Sequence, residues 1–242
     1  MRRSWRPHQT LGVVILTRNE ADNLRTLLPA LADVLAKAGV VHDVVVVDAD
    51  SPDGTADVAR QLGATVVSQR GAGYANALRQ GLACGTGDYL LTLDADLSHR
   101  PEFVVEMLDR REDADIVIAS RYVDGGRAVM PLSRRALSRV LNSVYAGALG
   151  LPVRDLSSGF RLYRRSALAA LAPRGEHFDV LPEILAQAVL QGMTVREVPF
   201  AYQPRVAGLS KARALAFAPS YVRTLVRCMA ARRRHGKAGA RM

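Results

Sequence analysis

The 242-residue chain has only two cysteines, Cys84 and Cys228. Thiols so scarce exclude a disulfide scaffold. They lack the close spacing of a zinc site and fit a reducing compartment. Aromatic residues make up only 5%, too few for a base-stacking nucleic-acid surface. No apolar run approaches the roughly 18–20 residues that cross a bilayer. The opening run Met1-Arg2-Arg3-Ser4-Trp5-Arg6 lacks the apolar stretch of a secretion signal. No internal repeat occurs, and low complexity is confined to the basic carboxyl terminus. No glycine-lysine phosphate loop is present, and no glycine fingerprint follows the first predicted strand. What is present is 49% hydrophobic and 23% charged residues, the balance of a globular domain with one sizeable core.

Acids are missing from both ends. The formal net charge is +10. Residues 1–8 carry Arg2, Arg3 and Arg6. Residues 221–242 carry Arg223, Arg227, Arg232, Arg233, Arg234, Lys237 and Arg241. The body between them is balanced, so the basicity belongs to two tails. Such tails favour an anionic surface, membrane lipid or nucleic acid.

Periodicity predicts strands at 11–16, 44–47, 64–67, 89–93 and 116–119. Helices are predicted between them: one carrying leucines at 24, 27, 28, 31 and 35, then 55–62, 73–84, and one opening at Pro101 with Ser98 as its cap. This alternation predicts an α/β fold with a mostly parallel sheet covered on both faces. The second half predicts a long helix at 131–149, a strand at 158–163, a helix at 179–190 and a strand at 194–198. A basic amphipathic helix is predicted from 212 to 233, broken or bent at Pro219. The apolar positions of the 131–149 helix read as core before membrane-facing. The last helix reads equally as a surface for anionic lipid or as a helix packed on the domain.

Ligands of open parallel sheets bind at the carboxyl ends of the strands. Two predicted strands end there in paired carboxylates, Asp48 with Asp50 and Asp94 with Asp96. Such pairs suit a hard cation, Mg²⁺ or Mn²⁺, holding a diphosphate. The plainer reading of each pair is a turn. Gly71-x-Gly73 reads as a loop entering a helix, and His99 as a surface or supporting residue rather than a metal ligand.

Several runs occur in a telling order. They are Leu16-Thr17-Arg18-Asn19-Glu20, Val47-Asp48-Ala49-Asp50-Ser51-Pro52-Asp53-Gly54-Thr55 and Leu93-Asp94-Ala95-Asp96-Leu97-Ser98-His99. Further along stand Ser120-Arg121-Tyr122, Arg134-x-x-x-Ser138-Arg139-x-x-Asn142, Ser157-Ser158-Gly159-Phe160-Arg161 and Arg205-x-x-Gly208-x-Ser210-Lys211. This set resembles the family-2 inverting glycosyltransferases of the GT-A, Rossmann-like fold. Within them it is most similar to the polyprenyl-phosphate hexose synthases, above all the dolichyl-phosphate mannose synthases. The resemblance covers about residues 11–213. It implies a basic tail at 1–10, a catalytic domain at 11–213 and a basic amphipathic carboxyl-terminal helix and tail at 214–242.

The resemblance implies metal-dependent transfer of a hexose from a nucleotide sugar, GDP-mannose foremost or UDP-glucose, to a polyprenyl monophosphate, with inversion. Thr17, Asn19, Glu20, Asp48, Asp50 and Asp94 are implied to bind the nucleotide sugar. Asp94, Asp96 and Ser98 are implied to hold the metal. Arg121, Arg134 (or its neighbour Arg135), Arg205 and Lys211 are implied at the acceptor phosphate. Asp96, Arg121, Arg205 and Lys211 form the implied catalytic set. The acceptor is already an anion, so it needs positioning more than a base. A place at the cytoplasmic face of a membrane follows from a lipid acceptor, and nucleic acid is not an expected partner. The chain departs from the family where relatives carry Asp-Asp-Gly-Ser after the second strand, Phe-Gln before the glutamate matching Glu183, and Pro-Thr-Tyr at the first strand's end. The displaced Asp50 and the arginine at 18 bear on base and ribose contacts. Alternatives are a family-2 transferase with another sugar nucleotide or a soluble acceptor, a polyanion-binding module, and a nucleotidyltransferase.

Overall fold

The computed structural model describes Trp5, residues 8–203 and residues 217–239. Arg2, Arg3, Arg6, Arg205, Lys211 and Arg241, singled out in the sequence, fall outside these residues, as does the predicted start of the last helix at 212–216.

Four parallel strands build the first half: β1 (Leu11–Thr17), β2 (His42–Asp48), β3 (Thr65–Ser68) and β4 (Tyr89–Asp94). Their order is β3-β2-β1-β4, so the chain steps outward on one side of β1 and then returns to its other side. Helices α1 (Ala21–Lys37), α2 (Thr55–Gln61) and α3 (Tyr74–Cys84) make the crossovers. β1 is apolar on both faces, with Leu11, Val13, Val14 and Ile15 fully buried, as a central strand covered on both sides requires. The leucine stripe of α1 packs into the same core.

Beyond β4 come a 3₁₀ turn (Pro101–Phe103), α4 (Val104–Asp109), β5 (Ile116–Ser120), β6 (Arg127–Ala128) and α5 (Leu132–Leu149). They are followed by β7 (Arg161–Arg164), α6 (Arg165–Leu168), α7 (Val180–Leu190), β8 (Val195–Pro199), β9 (Ala201–Tyr202) and α8 (Ala218–Gly239). β7 lies between β4 and β5 and is antiparallel to both. The sheet is therefore mostly parallel, with seven strands, and β6 and β9 form a separate two-stranded pair.

Two sequence expectations are corrected. Ser98 does not cap a helix at Pro101: Arg100 precedes that turn, and the Ser98 backbone N–H and hydroxyl both donate to Asp96 Oδ1. Pro219, where a break or bend was expected, stands at the start of the last helix as described. It sits in the first turn of α8, where its missing N–H costs nothing. The apolar residues of α5 are not mainly core. Only Asn142, Tyr145 and Leu149 of α5 are buried, while Leu132, Leu137, Val140 and Val144 face outward. The reason is geometric: α5 leans on α8 by its carboxyl-terminal half, where the Tyr145 hydroxyl donates to the Tyr221 carbonyl.

α8 packs on the domain through Ser220, Thr224 and Cys228, buried at four-residue spacing. Thr224 donates to Asp179 at 2.6 Å, and Arg227 pairs with Glu183 at 2.9 Å. Its opposite face leaves Val222 and Val226 exposed. Among the described residues no helix is long and apolar enough to cross a membrane.

Candidate active site

The register brings the carboxyl ends of the parallel strands level, with Thr17 beside Asp48, Asp48 beside Ser68 and Leu16 beside Asp94. This rim is the switch point of the topology, where open α/β sheets bind ligands. A cavity of about 460 Å³ opens there. Its wall takes Leu16, Thr17, Arg18 and Glu20 from the end of β1, Ala49 and Asp50 from β2, and Asp94, Ala95 and Asp96 from β4. Gln69, Gly71, Ala72, Gly73, Tyr74 and Ala77 come from the β3–α3 passage, and Phe178 from before α7.

Backbone strain gathers at the same rim. Among the described residues the non-glycine positions with positive φ are Asn19, Asp50 and Leu97, at +58°, +50° and +60°. They follow β1, β2 and β4 respectively. Such residues cost stability and persist where surrounding contacts over-determine them, typically at ligand sites.

Of the residues assigned to the nucleotide sugar, Thr17, Glu20, Asp50 and Asp94 stand on the cavity wall. Asp48 stands behind it, 3% exposed. Its Oδ1 accepts from the Thr17 and Ser51 hydroxyls, and its Oδ2 from the Ser51 N–H. Asn19 is exposed beside the cavity and donates its backbone N–H to Ser51. Asp53 ties the turn to α1, accepting from the N–H groups of Ala21 and Thr55 and from the Thr55 hydroxyl. Partial burial opposes its charge, but these donors prevail and hold the carboxyl below its usual range.

Asp94 and Asp96 form the floor under the β4 end. The Asp94 N–H donates to His99 Nδ1 at 2.9 Å, and His99 Nε2 lies 3.9 Å from Asp94 Oδ2. His99 is buried, stacked on Phe160 and edge-on to Phe200, so it acts on Asp94 from below the wall. Ser98, read as a metal-side ligand, is 1% exposed and holds Asp96 Oδ1 instead of lining the cavity. Two carboxylates lining one cavity fit Mg²⁺ or Mn²⁺, which take few protein ligands when phosphate oxygens and water complete the shell. No group of three or more His, Cys, Asp or Glu capable of holding a metal alone occurs among the described residues.

The glycine loop is part of the wall. Gly71 and Gly73 have φ of +74° and +92°, and Gln69 Nε2 donates to both of their carbonyls. Gly73, at ψ 160°, occupies a region open essentially to glycine alone. It releases α3 so that Tyr74 stacks on Phe178 with ring centroids 4.5 Å apart. A Cβ on Gly159 would meet the Tyr74 hydroxyl at 2.5 Å, so this glycine in the Ser158-Gly159-Phe160 run makes room for that ring. Burial, then the Asp94 charge, pushes the Tyr74 hydroxyl well above its usual pKa.

Arg121 lies off this wall. Its Nε and Nη2 form a bidentate pair with Asp155, both at 2.7 Å, and Nη2 also donates to Ser157. Burial alone would raise the Asp155 pKa; the guanidinium outweighs it and holds the carboxyl below its usual range. Ser157 also meets Ser138 and Asn142 of α5, which links Arg121 to that helix. Arg134 is exposed in the first turns of α5. Glu183 is 2% exposed. It accepts from the N–H groups of Arg174 and Gly175 as well as from Arg227.

The sequence profile described as Glycosyl transferase family 2 matches residues 12–171. The chain belongs to glycosyltransferase family 2. It is similar to a dolichol-phosphate mannosyltransferase of Pyrococcus furiosus, 32% identical over 83% of this chain and 58% of the relative. It is also similar to a polyprenol monophosphomannose synthase of Mycolicibacterium smegmatis, 34% identical over 85% of this chain and 82% of the relative. The chain thus spans little more than half the length of the first relative. Among solved structures, glucosyl-3-phosphoglycerate synthase of Mycobacterium tuberculosis, bound to Mn²⁺, UDP and its product, aligns with a TM-score of 0.70. Identity there is 21%, over 95% of this chain and 86% of that one. Mannosyl-3-phosphoglycerate synthase of Rubrobacter xylanophilus aligns at 0.71 and 25% identity, over 90% and 73%. These likenesses agree with the α/β, GT-A-like fold.

Gln69, Tyr74, Phe178, Asp155 and Ser157 have parts in this arrangement that sequence reasoning did not assign. His99, read from the sequence as a surface or supporting residue, is buried and supports Asp94.

Proposed function

We propose that this glycosyltransferase transfers a hexose from a nucleotide sugar, mannose from GDP-mannose, to a polyprenyl monophosphate with inversion of the anomeric carbon. The observation that carries this reading is the cavity at the strand ends, with the Asp94–Asp96 floor under one end and room for a nucleoside along the other. The names of the two curated relatives support the acceptor. A divalent cation bound by Asp94 and Asp96 would neutralise charge on the departing diphosphate. His99 and Ser98 hold those two carboxylates in place, the first through the Asp94 backbone and the second through Asp96 Oδ1.

The acceptor phosphate oxygen attacks the anomeric carbon from the face opposite the leaving diphosphate. It carries its own negative charge, so positioning and loss of water supply the reactivity. Arg121 offers Nη1 for this task, since its other donors are committed to Asp155 and Ser157. Arg134, Arg205 and Lys211 complete the proposed cationic set.

A lipid acceptor asks for a membrane-facing surface, here the cytoplasmic face. Seven of the nine exposed large apolar residues described are Val129, Leu132, Leu137, Val140, Val144, Val222 and Val226, on or beside α5 and α8. Neither helix carries an acid. Apolar and basic side chains together suit anionic lipid, where each basic residue near the surface adds about 1 kcal/mol.

The test incubates purified protein and Mg²⁺ or Mn²⁺ with radiolabelled GDP-mannose or UDP-glucose, with and without polyprenyl monophosphate. Label in the organic phase should require lipid and metal and vanish in Asp96→Ala. Folded protein that leaves all label in water with both donors would overturn the lipid acceptor and direct the search to soluble ones.

A further inference from the structure

The nucleoside end of the cavity carries two departures from the family pattern, Arg18 and Asp50, and the structure sets them next to each other. Arg18 Nη1 donates to the Ala49 carbonyl at 2.7 Å, so the guanidinium lies against the peptide that joins Ala49 to Asp50. Both side chains are exposed and both line the cavity. Among the described residues, Asp50 accepts no hydrogen bond, and neither residue forms an ion pair. The left-handed conformation of Asp50, at φ +50°, is one that few residues adopt without a cost, and here it turns the carboxylate toward the cavity. A carboxylate and a guanidinium therefore share one end of the cavity without neutralising each other.

We infer that Arg18 and Asp50 read the base of the donor, and that the base they select is guanine. This rests on the reading of the cavity as a nucleoside diphosphate-sugar site. A carboxylate offers two parallel acceptors, and the N1–H and N2–H₂ groups of guanine are two parallel donors. A guanidinium offers the complementary donors, and guanine O6 and N7 accept from it. Uracil presents one N–H between two carbonyl oxygens. A carboxylate facing that edge gains one hydrogen bond and meets two like-charged oxygen atoms. The placement agrees with the length of the ligand. β2 and β4 are two strand spacings apart, about 10 Å. The gap leaves a ribose between a base at Asp50 and a diphosphate over Asp94 and Asp96.

The experiment is calorimetric titration of the full chain, with Mg²⁺ present, by GDP, IDP and UDP. It is repeated on Asp50→Asn and Arg18→Gln, whose melting temperatures confirm folding. GDP should bind about ten- to a hundredfold more tightly than UDP, the range of one bidentate contact. IDP, which lacks the N2 amino group, should fall between them. Asp50→Asn should weaken GDP about tenfold while leaving UDP nearly unchanged, and Arg18→Gln should weaken both GDP and IDP. UDP binding as tightly as GDP, or variants that weaken GDP and UDP alike, would overturn the base-reading pair and leave the transferase reading intact. Binding of none of the three by folded protein would overturn both.

Discussion

The tripeptide Asp-Ala-Asp occurs twice at a strand end, as Asp48-Ala49-Asp50 and Asp94-Ala95-Asp96, and the two copies are used in opposite ways. In the first, the leading aspartate is buried at 3% exposure and hydrogen-bonded to Thr17 and Ser51, while the trailing one is exposed. In the second, the leading aspartate has a side chain 35% exposed on the cavity wall, and the trailing one is 3% exposed against Ser98. What differs is where the chain turns. The left-handed residue is Asp50 itself after β2 but Leu97, one residue later, after β4. A one-residue shift of the turn decides which carboxylate of each pair is buried and which is open to solvent.

The largest expected effect separates the two trailing aspartates by activity. Asp96→Asn should lower the transfer rate by about 10²-fold or more, because it removes charge at the diphosphate. Asp50→Asn should raise KM for the nucleotide sugar and change kcat by only a few fold. Equal losses in kcat would erase the contrast between the two copies.

A third buried aspartate sharpens the comparison by replacing hydroxyl partners with a guanidinium. Asp155 is fully buried against Arg121. Removing one partner of such a pair leaves an uncompensated charge, so Asp155→Asn should cost about 3–5 kcal/mol at neutral pH. The Asp155 pKa is depressed in the folded protein. Its stabilisation is therefore complete above the unfolded carboxylate value, about 3.9, and is lost as pH falls below it. Denaturant titrations should show wild type and variant converging between about pH 4 and pH 2. A gap that stays constant with pH would mean that the pair is not what stabilises the fold.

The smaller effect concerns the first copy alone. Asp48→Ala removes the acceptor of two Ser51 donors and leaves the Thr17 hydroxyl only the Val47 carbonyl at 3.4 Å, and should cost about 2–3 kcal/mol by urea unfolding. Asp50→Asn should stay within about 0.5 kcal/mol, since asparagine tolerates the left-handed turn and no contact is lost. Equal losses would mean that exposure does not divide the roles.

Much of the fold was legible because its signals are local. The valine runs of β1 and β2, the leucine stripe of α1 and the strand-end acids are each set within one or two turns of chain. α5 was misjudged for the complementary reason. A stripe containing Leu132, Val140 and Val144 has the same period whether it meets a core or faces outward. The site was legible where acids end strands. It was not legible where the wall comes from elsewhere. Phe178 reaches Tyr74 across more than a hundred residues, and Asp155 reaches Arg121 across 34.

The sequence by itself determined the α/β order, the rim that holds the chemistry, the two acidic tripeptides and membership of the glycosyltransferase resemblance. These depend on period, turn chemistry and residue type, which act over a few residues. Only the tertiary structure decided that Asp48 and Ser98 support the wall, that Asp50 and Arg18 meet at the cavity, and that the outer face of α5 has no partner among the described residues. Burial and hydrogen bonding between distant segments assign those roles, and no local pattern carries that information.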